Sequence, residues 1–448
     1  MTRAVILGGG FGGLHAVRAL NDPVFQVTLA DRRNFHLFQP LLYQVATGSL
    51  SPGEVAAPLR SVLSRQKNVR VLLGEAVDLD AAAKTVTLQS GEQTGCIPET
   101  EFSLPYDALI VATGAHNYYF HNDGWRAFAP GLKSIEDATA MRRKILYAFE
   151  AAERETDPER RRAWLTFIIV GGGPTGVELA GALGEIANDT LRHDFRSIHP
   201  EESRIVLLEG SRHMLPTYSE KTSLEAERSL IRLGVRPRGN VRVTGIDCDG
   251  VTISTGERIA AKTVLWAAGV TASDFGRVLR QRAGARLDLQ GRVMVEPDLT
   301  VAGHPEIFVI GDLATVDHHG HPVPGVAPAA MQMGRYAADV LKDRASGRKP
   351  QPFRYHDKGS LAVIGRGAAV METGRLRFHG WFAWLLWLFI HLMYLVQFRN
   401  RLIVFIRWGF QYISFDRGAR LIAGNSGSGE DSAARGDSAS AKSGSPGL

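Results

Sequence analysis

The sequence predicts an α/β chain with two strand–helix–strand units, the second inserted in the first, and a helical C-terminal region. Three observations carry this expectation. Two glycine-rich turns each follow a four-residue apolar run; an acidic residue ends the next apolar run in each unit; an uncharged aromatic stretch lies near the C terminus.

The first turn is Gly8-Gly9-Gly10-Phe11-Gly12-Gly13 after Ala4-Val5-Ile6-Leu7, and the second is Gly171-Gly172-Gly173-Pro174-Thr175-Gly176 after Phe167-Ile168-Ile169-Val170. The first glycine of such a turn permits the tight strand-to-helix bend. The second lets backbone approach a pyrophosphate, and the third lets the helix pack on the strand. The phosphates then meet the unpaired N–H groups and positive dipole end of the helix. Asp31 follows Val27-Thr28-Leu29-Ala30 and Glu209 follows Ile205-Val206-Leu207-Leu208, where a carboxylate accepts from a ribose diol and repels a 2′-phosphate. That favours NADH over NADPH at the second site, although Arg212 nearby leaves NADPH open. A single glycine turn can be purely structural. Two complete units in one chain read as two Rossmann-like dinucleotide-binding domains.

The remaining elements follow in chain order. A helix is expected from about Gly12 to Asn21, then an irregular aromatic segment through Pro58. Strands are expected near Val69–Leu73 and Thr85–Leu88, and another at Ala108–Val111 leading into Ala112-Thr113-Gly114. Residues 136–162 read as a charged helix and crossing segment, and the second unit's helix runs from about Thr175 to Asp189. Val264-Leu265-Trp266 leads into Ala267-Ala268-Gly269, echoing the earlier Ala-Thr-Gly. Ile307–Ile310 precedes Gly311-Asp312 and should return to the first sheet, with a helix from near Ala327. The expected division is 1–135 and 291–370 for the first nucleotide domain, 136–290 for the second, 371–423 for the C-terminal region, and 424–448 for a disordered tail. The tail is rich in Gly, Ser, Ala and Asp and has little apolar surface to bury.

At 448 residues the chain can hold two or three cores. Its two cysteines, Cys96 and Cys248, form no Cys-x-x-Cys pattern. Electrons therefore need a route other than a close cysteine pair, and a reducing compartment is expected. The N terminus runs directly into the first strand, so no cleavable signal peptide is expected. The net charge of +6 and pI near 9.3 suit an anionic bilayer. Nucleic acid is not expected, because no compact basic stripe with interleaved aromatics is present. His318-His319-Gly320-His321 sits in a Pro/Gly loop without a paired helical His or nearby Cys, so no metal site is expected.

Trp381–Phe398 contains no Asp, Glu, Lys or Arg over 18 residues. At ~1.5 Å per residue it would reach ~27 Å, the threshold for a membrane crossing. Arg399 and Arg401 follow, then Leu402–Phe410 with Arg407 inside it. Three Trp in the first run and one in the second suit a membrane–water interface. An interfacial helix pair, a short transmembrane hairpin and a buried helix of a homodimer all remain readings. His391 and Gln397 within the run favour the interfacial one.

The segment Asp31-Arg32-Arg33-Asn34-Phe35-His36-Leu37-Phe38-Gln39-Pro40-Leu41-Leu42-Tyr43-Gln44-Val45-Ala46 resembles the type II NADH dehydrogenases, of the two-dinucleotide-binding flavoprotein superfamily. Ala329-Ala330-Met331-Gln332 and the stretch His379–Trp387 are similar to that family's bacterial branch. The likeness spans about residues 1–423. It implies non-covalent FAD in the first unit, NADH in the second, and hydride transfer to flavin followed by two-electron transfer to a membrane quinone. Proton pumping is not expected. The resemblance implies that Gly8, Gly10, Phe11, Gly12, Gly13, Asp31 and Arg32 hold FAD, with Thr113 and Gly114 closing over it and Gly311 and Asp312 reaching its ribityl or pyrophosphate side. Gly171, Gly173, Pro174, Thr175, Gly176, Glu209, Ala268 and Gly269 fall to NADH.

Glu178 matches the family residue beside the nicotinamide, against a bland reading as a first-turn glutamate favoured by the helix dipole. Gln332 matches the quinone-site glutamine, whose amide can donate to a quinone and accept from a quinol; the bland reading is a solvated helix glutamine. Asp312 could equally be a helix N-cap. The expected location is the cytoplasmic face of the inner membrane, peripheral or monotopic. The alternatives are a soluble NADH-dependent reductase of a small iron–sulfur electron carrier and a non-catalytic nucleotide-sensing protein.

Overall fold

The computed structural model describes residues 1–90, 99–318, 321–414 and 417–422. The strands β1 (Thr2–Leu7), β2 (Phe25–Asp31), β3 (Val69–Leu73) and β4 (Ala108–Val111) belong to the first sheet. The strands β5 (Thr166–Val170), β6 (Arg204–Leu208), β7 (Val235–Arg238) and β8 (Thr263–Trp266) form the second. Then β9 (Thr300–Val301) and β10 (His304–Val309) return to the first. The spatial orders are β9-β10-β4-β1-β2-β3 and β7-β6-β5-β8. The register Ile307↔Leu109 places β10 beside β4 in parallel, so the second unit interrupts the first.

Every residue of β4 and β5 is buried, as are the last four of β1 and β6. Continuous apolar runs of this kind suit central parallel strands covered by helices on both faces. The helices that position the sites include α1 (Phe11–Ala19), α2 (Ile135–Arg154), α3 (Pro158–Trp164), α4 (Pro174–Glu185), α5 (Ala327–Ala345), α6 (Gly380–Tyr394) and α7 (Phe398–Ser414). Ser134 and Asp137 form a reciprocal capping box that starts α2. The charged segment expected at 136–162 is thus two helices, separated where Asp157 caps α3 and Pro158 enters it.

Among the contacts that hold the units together are a strand pair and a meander. Ala115–Asn117 pairs antiparallel with Val270–Ala272 just beyond the Ala-Thr-Gly and Ala-Ala-Gly segments. A meander of Ser360–Gly365, Ala368–Thr373 and Leu376–His379 packs beside α4 and leads into α6. Its middle strand runs through position 370, so the 370/371 division expected from sequence cuts one structural unit.

The uncharged run is not one helix. Chain direction breaks at Leu395, giving α6 and α7 of 15 and 17 residues, and no helix among the described residues is long and apolar enough to cross a membrane. Nor do the tryptophans form a common interfacial belt. Trp387 is buried in the main core with Ala383, one turn earlier, while Trp381 is 58% exposed. Helical periodicity sorts them onto opposite faces. The exposed face instead carries Phe382, Phe389, Phe398, Leu402, Phe405, Ile406 and Phe410. The expected disordered tail and Cys96 lie outside the described residues.

Candidate functional site

Both glycine turns are built alike. Gly8 and Gly171 have φ of +100° and +107°, and a Cβ on either would press into the backbone of Ala112 or Ala267. The third glycines, Gly13 and Gly176, sit against the carbonyls of Gly8 and Gly171, leaving no space for a side chain. The middle glycines differ: a Cβ on Gly10 or Gly173 would meet nothing within 4 Å. These two N-cap α1 and α4, and neither helix has a side-chain cap or an acidic residue in its first turn. Open space before unpartnered N–H groups is a cradle for a pyrophosphate. The residues therefore fit FAD at the first turn and a second dinucleotide at the other. Pro174 supplies the fixed φ of a first helical position, and Pro174 and Thr175 are exposed.

The acidic residues are parallel too. Asp31 Oδ2 accepts from Gly9 N–H at 2.5 Å and its Oδ1 from Arg33 N–H at 2.7 Å. Glu209 Oε2 accepts from Gly172 N–H at 2.6 Å and its Oε1 from Ser211 N–H at 2.8 Å. Each carboxylate thus braces the glycine turn and keeps lone pairs for a ribose hydroxyl. Burial raises the Asp31 pKa, opposed by its two backbone donors. Arg32 is exposed on Glu75 at 3.3 Å, outside this bracing.

Thr113 Oγ1 lies 2.6 Å from Ser273 Oγ, and Gly114 O accepts from Ser273 N–H, tying the first unit to the second. Ala268 and Gly269 occupy the matching bend after β8, where Phe120 rests on Gly269. Gly311 turns with φ +70° and its N–H points at Met333 Sδ. Asp312 lies 3.8 Å from Lys133 Nζ and lines a small hollow with Gly311, Val326, Ala329 and Ala330. It does not cap α5, whose N-cap is Val326.

Glu178 is the fifth residue of α4, so the first-turn dipole reading fails. It lines a cavity of about 100 Å³ between α4 and the C-terminal helices, with Tyr43, Gln44, Glu185, Trp387, Trp408 and Arg417. Burial pushes its carboxyl up to about 8, with the Val363 backbone and Trp387 opposing. The Trp387 indole N–H faces it without closing a hydrogen bond of normal geometry.

Gln332 is elsewhere. Its Nε2 donates to His356 O at 3.0 Å and its Oε1 accepts from His356 N–H at 2.9 Å. In this structure that amide clamps α5 to the 351–359 segment, with one N–H and one lone pair left over. It does not line the Glu178 cavity.

Several residues escaped the sequence reading. His36 is buried, with Nδ1 2.9 Å from Gly9 O and Nε2 unpartnered. Its ring meets Phe11 edge-on, and Phe11 meets Phe38. Beyond Phe38 come His391 and then Trp387, stacked on His391 at 4.3 Å. Burial lowers both histidines to about 4, so both rings are neutral near pH 7. Arg417 and Glu185 form a buried ion pair at 2.7 Å that ties the chain after α7 to α4. Phe11 was expected at the FAD, and His36, Phe38, Trp387 and His391 lay within stretches singled out as resembling the family or as an uncharged run, but no pattern placed these rings against one another. The Arg417–Glu185 pair had no signal in the sequence.

A family model described as pyridine nucleotide-disulphide oxidoreductase matches residues 2–334, and one described as NDH2 C-terminal domain matches 357–415. The chain is 47% identical over 429 residues to Type II NADH:quinone oxidoreductase NdhA of Mycobacterium tuberculosis, covering 94% of this chain and 89% of that protein. It is 44% identical to Type II NADH:quinone oxidoreductase Ndh of the same organism, covering 94% and 90%. Among solved structures, that of NDH2 from Plasmodium falciparum in complex with NADH shares the fold, with a TM-score of 0.82 at 22% identity, covering 94% of this chain and 100% of that one. By its identity to the mycobacterial proteins over nearly its whole length, the chain belongs to the type II NADH:quinone oxidoreductase family.

Proposed function

We propose that the chain catalyses oxidation of NADH by a membrane quinone through a non-covalently held FAD, without proton pumping. The observation that carries this is the pair of open glycine cradles, with Glu178 between the second cradle and the aromatic C-terminal helices. FAD, when bound, supplies the carrier that takes a hydride from NADH and yields two electrons to quinone. The chain supplies position and charge. Gly8, Gly10 and Gly13 open the first cradle, and Asp31 braces it and takes the adenosine ribose. Gly171, Gly173 and Gly176 open the second, where Glu209 disfavours a 2′-phosphate. Glu178, held protonated near neutral pH, can give a proton to a neighbouring quinone oxygen and recover it through the cavity.

The exposed apolar face of α6 and α7 supports peripheral attachment to a membrane. That face and the family membership favour quinone over a small iron–sulfur carrier. The test is steady-state NADH oxidation by purified, flavin-replete protein with and without a short-chain quinone. Quinone-dependent turnover supports the reading. Turnover only with an iron–sulfur carrier would replace it, and a preparation that binds dinucleotide without turnover would leave a nucleotide sensor.

A further inference from the structure

Four basic side chains, one from each of four parts of the fold, lie near the α6–α7 turn. Arg18 ends α1, and Arg335 lies on α5, which packs against α1 so closely that a Cβ on Gly334 would collide with the Gly12 carbonyl. Lys358 belongs to the segment that Gln332 clamps to α5 through His356. Its Nζ donates to Tyr394 Oη at 3.0 Å and lies over that ring at 5.6 Å. Arg401, in the first turn of α7, donates from Nε to Leu395 O at 2.7 Å. Gln397 fixes the same turn to Ser61, next to Arg60, through a 3.1 Å bond.

Their proximity has an electrostatic signature. Arg335, Arg18 and Lys358 all add to the burial that lowers the half-buried His15 to about 4, and Arg401 acts on Arg18. None of the four is ion-paired with a carboxylate among the described residues. Asp357, next to Lys358 in sequence, accepts from Gly359 N–H at 2.9 Å, and Asp339, on α5, pairs with Lys342 at 3.7 Å. Like charges gathered without an ion pair are a cost that an anion would relieve. The adjoining surface is apolar. Phe398 is 78% exposed, and Leu402, Met393 and Phe405 are exposed around it. Meanwhile Asn400, Val404 and Trp408 hold the other face of α7 to the body. A cationic cluster beside an exposed aromatic rim matches the boundary between the headgroups and acyl chains of a bilayer.

Resting on the reading that α6 and α7 meet a bilayer, we propose that Arg18, Arg335, Lys358 and Arg401 form a seat for the phosphate of an anionic phospholipid headgroup, with Phe398 and Leu402 entering the acyl region beside it. The first unit itself, and not only the C-terminal helices, then touches the membrane. Orientation follows, because α1 begins at the FAD cradle and ends at the headgroup seat.

The experiment is cosedimentation of the flavin-replete full chain with vesicles of phosphatidylcholine alone or mixed with phosphatidylglycerol, at low and at high salt. Wild type should bind the anionic vesicles more tightly, with the advantage lost at high salt. The double variant Arg18→Gln/Arg335→Gln should lose about 30-fold on anionic vesicles, roughly fivefold per charge, and nothing on neutral ones. Arg160→Gln/Arg162→Gln on α3 removes equal charge elsewhere and should match wild type. Unchanged flavin content and melting temperature confirm that the variants fold. Equal losses for both double variants, or none for the first, overturn the headgroup seat while leaving membrane attachment standing. Wild type that binds neither vesicle overturns the attachment itself and the seat with it.

Discussion

Replacing Glu178 by Gln should abolish a titration that the wild type shows near pH 8. The carboxyl is displaced from 4.5 to about 8, chiefly because apolar walls strip water from its charged form. That displacement corresponds to roughly 5 kcal/mol at ~1.4 kcal/mol per pH unit. Glu178 is only partly covered, so solvent screening reduces this to about 2 kcal/mol. The sign is fixed by linkage. A carboxyl raised in the folded state stabilises most below about pH 4.5, and that stability is lost as pH rises through about 8. Glu178→Gln keeps the neutral shape and cannot ionise, so it should gain about 2 kcal/mol relative to wild type between about pH 5 and pH 9.

Infrared difference spectra read the group directly, because a protonated carboxyl has a C=O band that the carboxylate lacks. The band should titrate near pH 8 in wild type and be absent in Glu178→Gln. A wild-type band that disappears near pH 4.5, or one that survives in the variant, would refute the reasoning about this cavity.

Four other substitutions follow from the geometry. Gly10→Val fills open space before α1 without a clash, so the protein should stay folded but purify colourless, as its absorbance spectrum would show. Gly13→Ala meets the Gly8 carbonyl instead and should cost about 3 kcal/mol or more, read as insoluble or early-melting protein. Arg417→Ala leaves Glu185 with the Arg366 N–H but without its ion-pair partner and should cost about 3 kcal/mol by denaturant titration. Gln332→Ala removes two bonds to His356, about 2 kcal/mol together, and should loosen the 351–359 segment in hydrogen exchange. If Gln332 also contacts quinone, the quinone KM should rise while the NADH KM holds.

The legible parts of the fold were those encoded by short local patterns. The glycine turns, the apolar strands that feed them and the acids that close them are contiguous, and each has one geometric solution. The return of β10 to the first sheet was readable because Gly311-Asp312 repeats the logic of a strand end. The C-terminal region was less legible. Uncharged length alone could not show that Leu395 breaks the run, or that Trp387 turns inward while Phe398 turns out. Those outcomes depend on which helical face meets the meander and the 42–55 segment. Gln332 shows the same limit: its amide suits a quinone in principle, and no spacing announced that the His356 backbone would bond both its ends. The neutral buried pair His36 and His391 depends on burial that no spacing announces.

Anaerobic spectroscopy of the purified protein tests the central claim most directly. NADH should bleach the bound flavin absorbance, and a short-chain quinone added next should restore it stoichiometrically. Protein without flavin, or bleaching that quinone leaves unreversed, would contradict a path from NADH to quinone through this chain.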